Sequence, residues 1–224
     1  EGHMDALAVV DTFGVLNTHA IPYLIKRIRE RIAQPLEPHF HSDFSLGVSN
    51  TLAALACGCS VAHTTVTGIG ERAGNTPMEE VVLALKTMYG IDIGIDTTRF
   101  ASVSRRVCEL AKHVVPANRP IVGERLYHIE SGIIASWVKA TREEKFLSIA
   151  PFRPALTGLD RFEIVMGKNS GIDSVNLWLE DLGKTATEDE KLAMVPKVKA
   201  KALDKKDLLT REEFIRIYES VVKR

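Results

Sequence analysis

Over its first hundred residues the chain alternates short apolar runs with amphipathic stretches, and each apolar run ends on polar, reactive side chains. Such alternation predicts strands joined by helices, and hence a parallel sheet with helices packed over it. Leu7–Val10 reads as a first strand that runs out into Asp11-Thr12-Phe13-Gly14. Ala20–Arg31 reads as a helix, with Ile21, Leu24, Ile25 and Ile28 set against Lys26, Arg27 and Arg29. Glu37–His41 is a second expected strand, and Asn50–Cys57 a helix of small residues stopped by Gly58. Ser60–Thr65 is a third expected strand, leading into a glycine-rich loop. Thr76 is expected to cap the next helix, with Pro77 in its first turn and Glu79 completing a capping box. That helix ends near Gly90, and Ile91–Ile95 is a fourth expected strand. Polar residues gathered after the strands are how a β/α barrel builds its site. A doubly wound sheet places ligands there too, so the period alone does not separate the two. Gly68-x-Gly70-x-x-x-Gly74 has one residue too many for the dinucleotide fingerprint, which sets a nucleotide-binding sheet aside.

Residues two apart on a strand point the same way, so His39 and His41 project together. Imidazole suits zinc, iron, cobalt and nickel, and is accepted in oxygen-rich manganese and magnesium sites. Two histidines leave a site incomplete. Asn75 can add an amide oxygen, and a carboxylate is the expected remaining partner. An isolated H-x-H is more often structural or accidental than a metal site, but here a glycine-rich strand exit carrying Glu71, Arg72 and Asn75 follows it. Together they point to a divalent-metal site at the mouth of a β/α barrel.

Lys+Arg and Asp+Glu both total 29 in the 224 residues, so the basic excess of a nucleic-acid or membrane-surface binder is missing. No apolar run approaches the roughly 20 residues of a membrane span, and Glu1-Gly-His-Met lacks the basic and apolar regions of a signal peptide. Gly2-His3-Met4-Asp5 reads as a native turn before Ala6–Val10 rather than a cloning scar. Cys57, Cys59 and Cys108 are an odd number, and the first two sit in an Ala/Gly-rich helix end, where buried inert thiols are expected over a metal pair. A reducing, cytoplasmic setting is the corresponding expectation. After residue 97 the pattern changes. Thr98–His113 is an amphipathic helix, Val114–Gly123 a connector, Arg161–Gly171 a strand and turn, and the tail from Ile172 helical. The charged runs Glu188–Lys191 and Lys197–Lys206 read as solvated helix faces.

The run His39-Phe-His-Ser-Asp-Phe-Ser-Leu-Gly-Val-Ser-Asn50-Thr-Leu-Ala-Ala54 resembles the H-x-H-N-D-x-G-x-x-x-A-N-x-x-A-A signature of the 2-isopropylmalate synthase and homocitrate synthase family. Gly68-Ile-Gly-Glu-Arg-Ala-Gly-Asn75 is similar to that family's G-[IL]-G-E-R-A-G-N, and Gly167-Lys-Asn-Ser-Gly171 to its G-K-x-S-G. Related lyases of hydroxymethylglutaryl-CoA carry a cysteine loop instead, which favours the synthases. The resemblance implies an α/β fold, the C-terminal half of a TIM (β/α)8 barrel followed by small, mainly helical subdomains. On it, residues 1–97 supply barrel strands five to eight, 98–140 a helical linker subdomain, and 141–224 a C-terminal α+β subdomain.

The implied activity is that of a transferase of amino-acid biosynthesis, condensing acetyl-CoA with a 2-oxo acid around a divalent metal (Mn, Mg, Zn or Co). His39 and His41 would hold the metal with Asn75 nearby or ligating, and Thr12 sits where the family places a hydroxyl on the substrate carboxylate. Glu71 is a candidate for orienting the site, with an ion pair to Arg72 as the alternative. A homodimer is implied by the crossing-over of the subdomain after the barrel. The family's acidic metal ligand and substrate arginine belong to an earlier strand, so the chain is expected to be a fragment or one part of a split protein. The family's F-x-H-x-S-G-I-H and Y-x-P-F-x-P-x-L-x-G patterns also change: Ile134 stands for the second histidine and Ile149 for the tyrosine. His128 can substitute in acid/base work, or serve as a structural hydrogen-bonding group. An atypical short branch, such as a Re-type citrate synthase, a metal-dependent carbon–carbon lyase of the same superfamily, and a degenerate dimerising homologue stay open.

Overall fold

The computed structural model describes residues 3–141, 143–159 and 162–222. Gly2 of the expected first turn and Arg161 of the expected late strand lie outside the described residues. The chain divides into two compact units, Glu1–Leu126 with Leu156–Leu159, and Tyr127–Ala155 with Asp160–Arg224.

In the first unit, β1 (Leu7–Asp11) and β2 (Leu36–Phe40) pair in parallel, with Leu7 opposite Leu36 and Asp11 opposite Phe40. Parallel neighbours need a crossover, and α1 (Ala20–Arg29) supplies it, burying Ile21 and Ile25 one turn apart. With Val9, Leu36, Phe40, Ala54 and Cys59 these form the core. α2 (Gly47–Ala56) follows β2, and the chain leaves it through Gly58 at φ +89°. Asp11 ends β1 and holds the loop that follows. Its buried carboxylate accepts from Val15 N at 3.1 Å and Leu16 N at 2.9 Å, fixing the loop exit. Cys59 and Cys108 are buried free thiols and Cys57 is half-buried. Burial pushes the Cys59 thiol above its ordinary value.

Three sequence expectations are corrected here. Residues 60–65 do lie along β2, with Ser60 N bonded to Leu36 O at 3.0 Å and His63 N to Pro38 O at 2.9 Å, but they form no regular strand. Pro38 has no N–H to return a bond to the segment, and three residues of the segment span two of β2, a bulge-like slip. Thr76 does not cap α3 (Met78–Met88), which starts from Pro77 with no side-chain cap. Its hydroxyl bonds instead to Phe40 O at 3.0 Å and to Thr51 at 3.1 Å, and Glu79 turns inward. The expected strand at residues 91–95 is absent: Ile91 and Ile93 are half exposed, and no described strand runs alongside to pair with them. Two β/α units and a further helix, α3, precede α4 (Phe100–Ala111), and the α/β class and partial barrel hold.

The second unit contains a short parallel pair, β3 (His128–Ile129) and β4 (Glu163–Ile164), with α5 (Gly132–Ala140), α6 (Ile172–Asp181), α7 (Glu188–Lys205) and α8 (Arg211–Val221). Its core joins Met166, Val175, Trp178, Leu179, Met194, Val198, Ala202 and Phe214. Met194, Val198 and Ala202 recur every four residues, so α7 buries one stripe and leaves its charges on the solvated faces. α7 and α8 open with complete capping boxes, Thr187 with Glu190 and Thr210 with Glu213. Thr210→Ala is expected to cost about 1 kcal/mol, read as a lower denaturant midpoint at unchanged slope. No described helix is long and apolar enough to cross a membrane.

Candidate metal centre

Alternation along β2 puts Glu37 and His39 on one face, and His41 continues that face just past the strand end. The His39 and His41 ring centroids are 5.3 Å apart. His41 also forms an isolated antiparallel backbone bridge with Asn75. His41 Nδ1 and Asn75 Oδ1 are both buried, and neither has a hydrogen-bond partner. Leaving a buried polar atom unsatisfied costs roughly 1–3 kcal/mol, and two of them on bridged residues are a donor pair that an electrophile would satisfy. Burial first, then the neighbouring His41 and His63, holds the His39 pKa below its ordinary value. That favours the neutral ring, the form that ligates metals. The donor set of two imidazoles and an amide oxygen therefore fits a divalent cation. Among the described residues no group of three or more His, Cys, Asp and Glu side chains converges on one point, so the carboxylate ligand expected from the sequence is not supplied by them.

The glycine loop delivers Asn75. Asn75 N bonds to Gly68 O at 2.9 Å, and its Nδ2 to Ile69 O at 3.3 Å, which fixes the carboxamide and leaves Oδ1 available. Gly74 adopts φ +90°, and a Cβ there would collide with Gly68 O. Arg72 ties three loops: its Nε reaches Asp43 Oδ1 at 2.9 Å, its terminal nitrogen reaches Asp43 Oδ2 at 3.1 Å, and it also binds the Thr12 carbonyl. The Arg72 hydrogen bond holds the Asp43 carboxyl below the usual range. Thr12 thus contributes its main chain to the clamp and exposes its side chain. Glu71 is largely exposed, its carboxylate 3.6 Å from the Arg72 guanidinium. His128 belongs to the second unit, with Nε2 3.4 Å from Glu163 and Nδ1 buried without a partner. In the third motif Gly167 N donates to Ser170 Oγ at 2.9 Å, and Glu130 accepts from Asn169 N at 2.7 Å, so the turn is locked onto the end of β3.

Sequence reasoning passed over His63. Its Nε2 lies 2.8 Å from Glu37 Oε2 and its ring centroid 5.5 Å from that of His39. The signal was present: Glu37 alternates with His39 and His41, and His63 lies on the very segment expected to flank β2.

A match to the HMGL-like family covers residues 4–107. Over 97% of its length the chain is 39% identical to a homocitrate synthase of Methanothermobacter thermautotrophicus, covering 54% of that protein. It is 35% identical to a 2-isopropylmalate synthase of Caldanaerobacter subterraneus over 97% of this chain and 56% of that one. An (R)-citramalate synthase of Methanocaldococcus jannaschii is 37% identical over 87% of this chain and 39% of its own length. Residues 4–107 are thus an HMGL-like domain. Among solved structures, a Bacillus subtilis HMG-CoA lyase shares 21% identity at a TM-score of 0.47, over 51% of this chain and 40% of that one. The chain spans about half the length of the curated relatives it matches.

One buried carboxylate supports this HMGL-like loop from behind. Glu79 is 1% exposed, and its Oε2 accepts from Thr67 N at 3.0 Å, immediately before Gly68. Burial raises its pKa above the usual glutamate value. A carboxyl raised in the native state keeps its proton longer there than in the unfolded chain, so its contribution is full below the unfolded pKa and is lost as pH rises through the folded one. Glu79→Gln is expected to gain stability relative to the parent between acidic and neutral pH, read from urea midpoints of both proteins across that range.

Proposed function

We propose that this chain carries the metal-binding part of a transferase that condenses acetyl-CoA with a 2-oxo acid. The observation that carries the reading is the backbone bridge between His41 and Asn75, whose Nδ1 and Oδ1 are each buried and unpartnered, at the end of the strand face that bears His39. The names of the relatives support it: homocitrate, 2-isopropylmalate and citramalate synthases. His39, His41 and Asn75 hold the divalent cation, whether manganese, magnesium, zinc or cobalt. When bound, such a cation supplies Lewis acidity to the 2-oxo carbonyl.

The chain's own residues orient and exchange protons. Thr12 offers its exposed hydroxyl to the substrate carboxylate, while the Arg72 clamp keeps the three loops in register. Glu71 orients the glycine loop, and His128, within its own unit, is the chain's candidate for proton transfer, a task that Ile134 and Ile149 cannot perform. Loss of a proton from the acetyl methyl group gives the carbon nucleophile, a carbon–carbon bond forms to the carbonyl carbon, and water cleaves the thioester to release CoA. A cytoplasmic homodimer is the form in which this activity is proposed to operate.

The test is thiol release by the full-length protein with acetyl-CoA, added metal and, in turn, 2-oxoglutarate, 2-oxoisovalerate, pyruvate and oxaloacetate. Turnover with one of them is expected. Silence with all four removes the assignment, and cleavage of a 3-hydroxyacyl-CoA without net synthesis replaces it with a lyase.

A further inference from the structure

Thr67 stands immediately before the glycine loop in a conformation that its side chain resists. It is buried at φ +61° and ψ +6°, left-handed backbone in which a β-branched residue is an outlier. Gly68 continues left-handed at φ +69°, and its carbonyl accepts from Asn75 N at 2.9 Å. Both polar groups of Thr67's main chain are gripped. Its N–H donates to Glu79 Oε2 at 3.0 Å, and its carbonyl accepts from Arg119 Nη2 at 3.2 Å. Arg119 Nε lies 3.2 Å from Glu80 Oε1, and Glu79 and Glu80 are neighbours in the first turn of α3. The connector that follows α4 fixes Arg119 in turn. Arg119 N donates to Pro116 O at 2.9 Å, its carbonyl accepts from Gly123 N at 2.9 Å, and Arg125 N closes onto Ala117 O at 2.9 Å. The chain passes so close here that a Cβ on Gly123 would lie 2.6 Å from Arg119 N.

We propose that Arg119 is a positioning residue of the cation site. With Glu79 and Glu80 it holds the strained step from Thr67 to Gly68, and so the carbonyl from which Asn75 hangs. The proposal rests on the reading that Asn75 Oδ1 is a cation ligand. Backbone in a sparsely populated region persists only where its surroundings over-determine it, and such strain gathers at functional sites. Here a charged fork supplies the constraint. A guanidinium presents its donors in one fixed plane, so Arg119 engages Glu80 and the Thr67 carbonyl together. An ammonium carries the same charge without the fork. Freed from Arg119, the Thr67 peptide relaxes towards ordinary backbone, the Gly68 carbonyl turns with it, and the Asn75 main chain loses its anchor. Residues behind a ligand act in this way on affinity and coordination without touching the ion.

The experiment uses the full-length protein, Arg119→Met, Arg119→Lys, Thr67→Gly, and Arg119→Met combined with Thr67→Gly. Hydrogen exchange of residues 68–75 is followed in the metal-free proteins. Calorimetry gives the cobalt affinity, and the visible absorption of bound cobalt reports its coordination. Arg119→Met is expected to weaken cobalt binding at least about tenfold and to change the cobalt spectrum, which a residue serving overall stability alone would leave as it is. Exchange in residues 68–75 is expected to quicken at least about tenfold while α1 keeps its rates. Glycine takes left-handed backbone without penalty. In the Thr67→Gly background the same Arg119→Met change is therefore expected to cost less than about threefold in either quantity. Arg119→Lys is expected to fall between parent and Arg119→Met, and serves if Arg119→Met fails to fold. Parent-like affinity, spectrum and exchange in Arg119→Met, or losses equal in both backgrounds, overturn the proposal. Cobalt uptake absent from the parent, with exchange in residues 68–75 still dependent on Arg119 and rescued by Thr67→Gly, keeps the hold on the loop and removes the metal reading instead.

Discussion

Replacing His39 and His41 together with alanine is expected to strip the full-length protein of its divalent metal and to lower condensation kcat/KM at least about 10³-fold, roughly 4 kcal/mol of transition-state stabilisation. The rings sit 5.3 Å apart on one face, and with both removed Asn75 Oδ1 is the proposed ligand left among the described residues. Metal analysis after dialysis and calorimetric titration read the loss directly. Stability separates a ligand from a packing residue. The unpartnered His41 Nδ1 is a cost in the metal-free fold, on the order of 1–3 kcal/mol, so the metal-free variant should melt close to the metal-free parent. Added metal should raise the melting temperature of the parent alone, since a ligand at 100 times its Kd contributes about 2.7 kcal/mol. A parent whose melting ignores both metal and chelator would show that these imidazoles hold no cation.

Gly74→Ala is expected to cost at least about 3 kcal/mol and to weaken metal binding at least about tenfold. Two causes act at one position. Gly74 adopts φ +90°, which an L side chain rarely adopts, and the new Cβ would collide with Gly68 O. That same oxygen accepts the hydrogen bond from Asn75 N, so any movement that relieves the collision displaces the carboxamide. Gly58→Ala isolates the first cause, because Gly58 has φ +89° and open space around it. It should cost about 1–2 kcal/mol and leave metal affinity unchanged. Denaturation midpoints and metal titrations of the two variants check both parts. Equal effects at the two positions would rule out the collision.

Where local pattern and tertiary partners agree, the sequence was readable. Ile21 and Ile25 announced α1, and the alternation Glu37-Pro-His-Phe-His announced β2, whose end is bridged through the main chain to the glycine loop at His41 and Asn75. Failures came where a distant group competed for a local one. Thr76 followed the rule for an N-cap, but its hydroxyl is taken by Phe40 O and Thr51. Pro38 was legible as a residue, yet its effect falls on residues 60–65, because the missing N–H belongs to a ladder between segments far apart in the chain. Ile91 and Ile93 alternate like a strand, but alternation forms no ladder without a neighbour. His63 escaped because its meaning depends on which side chain stands across from it.

The packing of α6, α7 and α8 bears on how fast each part of the molecule acquires its shape. Met166, Trp178, Met194 and Phe214 meet from elements that follow one another directly, with Thr187 and Thr210 starting two of the helices in place. The turn-by-turn bonds inside those capped helices are local contacts, and local contacts form early. The parallel pairing of Leu7 with Leu36 must first close a long connection through α1. In refolding experiments the C-terminal helices should therefore gain amide protection in the earliest phase, and the two imidazoles of β2 should come into register only in a later, slower one.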